Sequence, residues 1–198
     1  MSGFFKDKTK CDYSLKGRTF FESFQILFFL FIVCGVGGFI VEVAFILITK
    51  GRLEYRGFLY GPMLPVYGFG GIAVYLLLNP LRKHPVLVTL LSALITGTVE
   101  YIAGVFMYAL YHQRWWDYSD HRFNINGFVS LDNTIGFALA GIFLMYFLIP
   151  VFFKLFNKLG KKTRNILFFT IVTLLVIDII MSNVIPNPFG TEAYFNKS

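Results

Sequence analysis

Arg56-Gly-Phe-Leu-Tyr-Gly-Pro-Met-Leu-Pro-Val-Tyr-Gly-Phe-Gly-Gly71 is apolar enough to lie in a bilayer, yet five glycines and two prolines fall among its last fifteen residues. A bilayer demands that backbone polar groups be satisfied internally, normally by helix. Gly61 and Pro62 suit a helix start, whereas Pro65 and the glycines at 68, 70 and 71 weaken the helix beyond it. A helix from Pro65 to Leu78 is about 21 Å long, short of the ~30 Å hydrocarbon core. The missing length has to come from residues 58 to 64, as a kinked turn or as extended backbone held against protein or a water-filled cavity. The expected second span is therefore a full crossing, broken or kinked near its outer end.

Outward from this stretch the chain is hydrophobic over 56% of its 198 residues and charged over only 15%, with mean hydropathy +0.65 and 25 phenylalanines. That composition describes an all-α integral membrane protein. Apolar runs at Phe20 to Ile48, Phe58 to Leu78, Val86 to Leu110, Leu131 to Phe153 and Ile166 to Ile185 give five spans. The first is too long for a signal-peptide core and is expected to stay attached as an anchor. The expected organisation is a basic cytoplasmic segment 1–19, one helical domain 20–185 with an outer loop 112–130 and a basic loop 154–164, and a tail 186–198.

Charge supports five crossings over a re-entrant second segment. With five, the N-terminal segment, residues 79–85 and residues 154–164 share one side and carry twelve of the eighteen lysines and arginines. With a re-entrant second run the two sides carry eight and ten, and no orientation emerges. The expected protein is thus a multi-pass cell-membrane protein with its N-terminus cytoplasmic and C-terminus outside. The net charge of +7 sits beside the spans, which argues against nucleic acid as a partner. Cys11 and Cys34 are the only cysteines, and Cys34 lies within an apolar run, so no disulfide framework is expected.

Ionisable groups inside spans are costly and usually face protein. Glu42, Glu100 and Asp178 are such groups, about 9, 15 and 10 Å from the outer ends of their spans at the helical rise. Gly35 and Gly38 share the face of Glu42; Thr96, Gly97 and Gly104 share that of Glu100; Ser182 lies one turn beyond Asp178. The acids either fix helix packing or form a site for a proton, a cation or a polar substrate. Arg56, Tyr60, Gly61, Pro62, Pro65 and Tyr67 join them as candidates along a pathway.

The outer loop Tyr111-His-Gln-Arg-Trp-Trp-Asp-Tyr-Ser-Asp-His-Arg-Phe-Asn-Ile-Asn-Gly127 holds both tryptophans of the chain. It reads as an interfacial aromatic cap, or as a gate with Arg114, Trp115, Trp116, Asp117, Tyr118, Asp120, His121 and Asn126 as candidates. His112, Asp117, Asp120 and His121 lack compact ligand spacing, so no metal is expected. Asn126-Gly127 signals a turn, and Ser130 can cap the helix beginning near Leu131. Gly136 and Ala140 give span four a small-residue packing face.

No Gly-x-Ser-x-Gly or Walker A motif occurs, and Gly160-Lys161-Lys162-Thr163 lacks the upstream glycine of a phosphate loop. No cofactor is expected in this chain; ATP would act only through a separate ATPase subunit. The basic segment 154–164 is a candidate contact for that subunit or an anchor to anionic lipid.

Arg56-Gly-Phe-Leu-Tyr-Gly-Pro62 with Pro65-Val-Tyr-Gly-Phe-Gly70, Glu100-Tyr101, Arg114-Trp-Trp-Asp-Tyr-Ser119 and Phe123-Asn-Ile-Asn-Gly127 resemble the bacterial membrane-protein family known as putative ABC-transporter type IV, from about residue 25 to about residue 150. The resemblance implies a permease-like component beside an ATPase. Tyr55, Tyr108 and Phe128 stand where the family commonly has Asn, an acid and Arg, so an ion pair of the family is expected to be absent. Three functions compete on these residues. One is a transporter component, with Glu42, Glu100 and Asp178 near a polar cavity and a homo-oligomer to complete the pathway. Another is a membrane enzyme acting on lipid-linked substrates at the outer surface through Asp117, Asp120 or His121. The third is a membrane scaffold or assembly factor.

Overall fold

The computed structural model describes residues 13–112 and 114–185. The expected N-terminal segment up to residue 12 and the tail 186–198 lie outside the described residues. The chain forms α1 (Phe20–Lys50), α2 (Pro65–Leu78), α3 (Pro85–Tyr111), a hairpin of β1 (Asn124–Ile125) and β2 (Val129–Ser130), α4 (Leu131–Phe143), α5 (Ile149–Lys158) and α6 (Lys161–Val184). A widened π-type turn, Leu144–Leu148, joins α4 to α5 as one continuous rod. Four of these helical rods are long and apolar enough to cross a membrane, and α2 is a shorter apolar helix. The expected basic loop 154–164 is mostly helical: α5 continues to Lys158, and only Leu159 and Gly160 separate it from α6.

Local chemistry sets the helix ends. Thr19 accepts the N–H of Glu22 at 3.2 Å to start α1, and Gly51 closes it in the left-handed conformation at φ 67°. Ser130 accepts the N–H of Asn133 at 3.3 Å and caps α4, as its sequence position led us to expect. In the π-type turn the N–H of Ile149 reaches the carbonyl of Leu144, five residues back, just before Pro150, which has no N–H to offer. This extra residue keeps Leu144, Met145, Ile149, Phe152, Phe153 and Phe156 buried together.

Those side chains belong to a single apolar core with Ile26, Leu30 and Cys34 of α1, Val74, Tyr75 and Leu78 of α2 and Val88 of α3. Its contributors run from mid-bundle, at Cys34 and Leu144, to the end that carries residues 13–19, the α2–α3 turn and the α5–α6 turn, here termed the basic end. The opposite end, bearing residues 51–64 and 112–130, is the loop end. Close packing in a bilayer rests on dispersion contacts between helices; this cluster supplies them in the basic half, while Ile46, Leu59, Met63, Trp115, Phe128 and Val129 are buried toward the loop end.

α6 is tied at both ends. At the basic end Arg164 and Arg18 both meet Glu22 Oε1, at 2.8 and 2.7 Å, and Gln25 donates to Asn165 at 3.0 Å. Phe168 packs edge-on against Phe21, Phe24, Phe28 and Phe29. At the loop end the ties are Asp178, Ser182 and Asn183. The nine residues between Phe168 and Asp178 cover about 15 Å from one tie to the next, and among them Phe169 stacks on Phe21.

Candidate functional site

The site begins with the broken second crossing. α2 starts at Pro65, beside the midpoint of the roughly 46 Å-long α1: the N–H of Leu64 donates to the carbonyl of Gly35 at 3.0 Å. Residues 51–64 therefore return from the loop end to mid-bundle as irregular backbone, a longer stretch than the 58–64 expected. α2 then continues to the basic end, where Tyr75 and Asn79 donate to the carbonyl of Tyr13 at 2.8 and 3.1 Å. The segment runs on to the basic end; it does not turn back.

Irregular backbone at that depth must find partners for its polar groups. From residue 60 to residue 65 the two prolines carry no N–H, and all four remaining donors are satisfied. Tyr60 donates to Asp178 Oδ1 at 2.8 Å and Gly61 to Asp178 Oδ2 at 2.9 Å. Met63 donates to the Gly61 carbonyl at 2.7 Å, and Leu64 to Gly35. The Tyr55 hydroxyl lies 2.6 and 2.7 Å from the carbonyls of Tyr60 and Gly61. A Cβ on Gly61 would sit 2.8 Å from Asp178 Oδ2, so the carboxylate approaches because that residue is glycine.

Asp178 is thus committed to backbone and to Ser182, and neither it nor Tyr60, Gly61 or Pro62 is on the cavity wall. Glu42, Arg56, Pro65, Tyr67 and Glu100 do line a cavity of about 900 Å³ at the loop end, together with Trp115, Trp116, Asp117 and Tyr118. Glu42 accepts the Tyr67 hydroxyl at 2.6 Å. Gly38 makes room for this pair, since a Cβ there would run into the Tyr67 ring. Glu100 is only 4% exposed; its Oε1 accepts Tyr118 at 3.2 Å and Asn133 at 2.6 Å, while its Oε2 has no partner. Burial, then Glu100 and Glu42, push the Tyr118 phenol upward, and Arg56 opposes them.

The outer loop closes over this arrangement. Trp116 donates to the Phe128 carbonyl at 2.9 Å, and Trp115 packs edge-on against Tyr111 and Phe58, tying the cap to the broken segment. Asn126 and Gly127 both adopt positive φ, 53° and 73°, and form the hairpin turn, with Asn126 donating to the Tyr101 hydroxyl. Asp117 accepts Ser119 and Arg114; the Ser119 hydrogen bond foremost holds its carboxyl below the ordinary range. Asp120 and His121 lie outside the cavity wall, and His121 meets Asp132 on the exposed side at 3.2 Å. Among the described residues no three His, Cys, Asp or Glu side chains converge as metal ligands. Tyr108 and Phe128, two of the departures from the family pattern, face each other as aromatic rings with centroids 6.2 Å apart, and Arg114 lies over both.

Sequence reasoning missed Asn133 and marked Tyr55 only as a departure from the family pattern. An amide in the first turn of an apolar helix was the available signal for Asn133, whereas the partners of Tyr55 are set by the path of the broken segment.

The family described as "Putative ABC-transporter type IV" matches residues 29–183, and the chain belongs to it. Neither a curated protein nor a solved structure matches the chain.

Proposed function

We propose that this protein is the permease-like membrane component of a transporter whose ATPase is a separate chain, and that the loop-end cavity holds its cargo. The observation that carries this reading is the asymmetry of the bundle. The basic half is a close-packed core, whereas the loop half encloses a cavity of about 900 Å³ with Glu42, Glu100 and Arg56 on its wall. A purely structural bundle has no need to keep a buried carboxylate oxygen without a partner beside such a space. Family membership supports the same reading at the level of a transporter-related membrane protein.

The basic end, with its concentration of lysine and arginine, is the cytoplasmic side and the face for an ATPase; the loop end then opens outward. The arrangement of Asp117 and His121 gives the membrane-enzyme alternative less support, because each has a different partner and only Asp117 is on the cavity wall. The test is copurification from native membranes, identification of the associated ATPase, and reconstitution with Glu42→Gln and Glu100→Gln. The reading predicts that both substitutions depress cargo-stimulated ATP hydrolysis. Unchanged stimulation in both would sink it.

A further inference from the structure

The wall of the loop-end cavity is built mainly from rings. Five phenylalanines, three tyrosines and both tryptophans line it, and most of its other residues are aliphatic. Ring faces carry partial negative charge and attract cations. Among the described residues the protein's own guanidinium groups do lie over rings, such as those of Tyr13, Tyr108, Phe128 and Tyr146, but none of the rings so used lines the cavity. The rings of the wall therefore have no resident cation. Trp116 illustrates this: its indole N–H is fixed on the Phe128 carbonyl at 2.9 Å, and among the described residues no other ring and no guanidinium packs on it.

The charged groups of the wall have the matching sign. Glu42, Glu100 and Asp117 stand against a single base, Arg56. Glu100 is buried and acts on the cavity through its field, whereas Glu42 is half-buried and Asp117 exposed. An anion entering this space would meet three carboxyl groups for one guanidinium. A bare metal ion needs ligands that converge, and among the described residues no three acidic, His or Cys side chains do so. A compact, strongly hydrated ammonium would exchange its water for ring faces that accept few hydrogen bonds. A cation whose charge is shielded by carbon loses little hydration and gains both the rings and the spread carboxyl groups.

We propose that the cavity binds a lipophilic organic cation of the quaternary ammonium class, its charged centre on the Trp116 ring near Glu42 and Asp117 and its apolar body against the remaining rings. A volume of about 900 Å³ suits a drug-sized molecule. This inference rests on the cargo-site reading above and names the chemical class of the cargo.

The test uses three probes that share one benzyl body and differ in charge: benzyltrimethylammonium, its neutral carbon isostere neopentylbenzene, and phenylmethanesulfonate. Each is titrated into full-length protein in nanodiscs, and the saturable change in tryptophan emission is measured, since both tryptophans line the cavity. The ammonium should bind about tenfold or more tightly than either of the others, the scale of a cation–π contact out of water. Trp116→Leu should weaken the ammonium about tenfold and leave the sulfonate unchanged, with Trp115 still reporting. Glu42→Gln, which retains an acceptor for the Tyr67 hydroxyl, should weaken the ammonium selectively as well. Thermal melting checks that the variants are folded, and the wild-type comparison stands without them. Equal or tighter binding of the neutral or anionic probe to the wild-type protein would overturn the proposal, as would the absence of saturable ammonium binding. A loss shared equally by all three probes in folded Trp116→Leu would overturn the role of that ring. Selective ammonium binding with no stimulation of ATP hydrolysis in the reconstituted complex would uphold this proposal and refute the transport reading. Cargo-stimulated hydrolysis that Glu42→Gln depresses, together with preference for the sulfonate, would do the reverse.

Discussion

Replacing Asp178 with alanine should unlock the second crossing. The carboxylate accepts the N–H groups of Tyr60 and Gly61 at 2.8 and 2.9 Å and the Ser182 hydroxyl at 3.3 Å. Without it Tyr60 keeps Ser182 Oγ at 3.2 Å as an acceptor, whereas Gly61 has no substitute. An unmet buried donor costs roughly 1–3 kcal/mol, so one full loss and one partial loss come to about 2–4 kcal/mol. For a chain of this length that corresponds to a fall in melting temperature of roughly 5–15 °C. Asp178→Asn retains one accepting oxygen and should lie between alanine and wild type. Buried Cys34 supplies the reporter: in a Cys11→Ser background, a thiol-reactive dye becomes fluorescent only as the bundle opens. A melting temperature for Asp178→Ala within about 1 °C of wild type would refute the hydrogen-bond accounting on which this magnitude rests.

Two further outcomes are expected from the same geometry. Gly38→Ala places a Cβ 2.6 Å from Tyr67 Cβ and should cost about 1–3 kcal/mol by thermal melting, whereas Gly37→Ala, with nothing within 4 Å, should be neutral or slightly stabilising. Asp117 has its carboxyl held below its ordinary value of 3.8, chiefly by Ser119. Its contribution to the loop cap is therefore present above that value and lost as pH falls through the lower folded value. Tryptophan emission should accordingly begin to shift only below pH 3.8, and Asp117→Asn should remove the transition; an unchanged acid profile in the variant would count against this role for Asp117.

What the sequence made legible was governed by bilayer energetics. Five apolar stretches, a cap at Ser130, a turn at Asn126-Gly127 and a break before Pro65 all arise from local rules, and the structure has each of them. The extent of the break was not legible, because its length depends on where α2 docks on α1, at Gly35, a tertiary fact. The three acids within spans looked alike from sequence, since depth and small neighbours were similar. Their partners separate them: Asp178 satisfies backbone, Glu42 takes a phenol, and Glu100 keeps one oxygen free. The basic segment 154–164 was read as a loop because charge interrupts the apolar run, yet lysines at helix ends can extend to the membrane surface without ending the helix.

The most direct test fills the cavity without touching its polar groups. Ala103, on the apolar wall, is replaced by cysteine in the Cys11→Ser background and alkylated with a bulky maleimide in the reconstituted complex with its ATPase, while buried Cys34 stays unmodified. If the loop-end cavity holds the cargo, complete labelling abolishes cargo-stimulated ATP hydrolysis and prior addition of cargo slows the labelling. Full stimulation by completely labelled protein would contradict that claim.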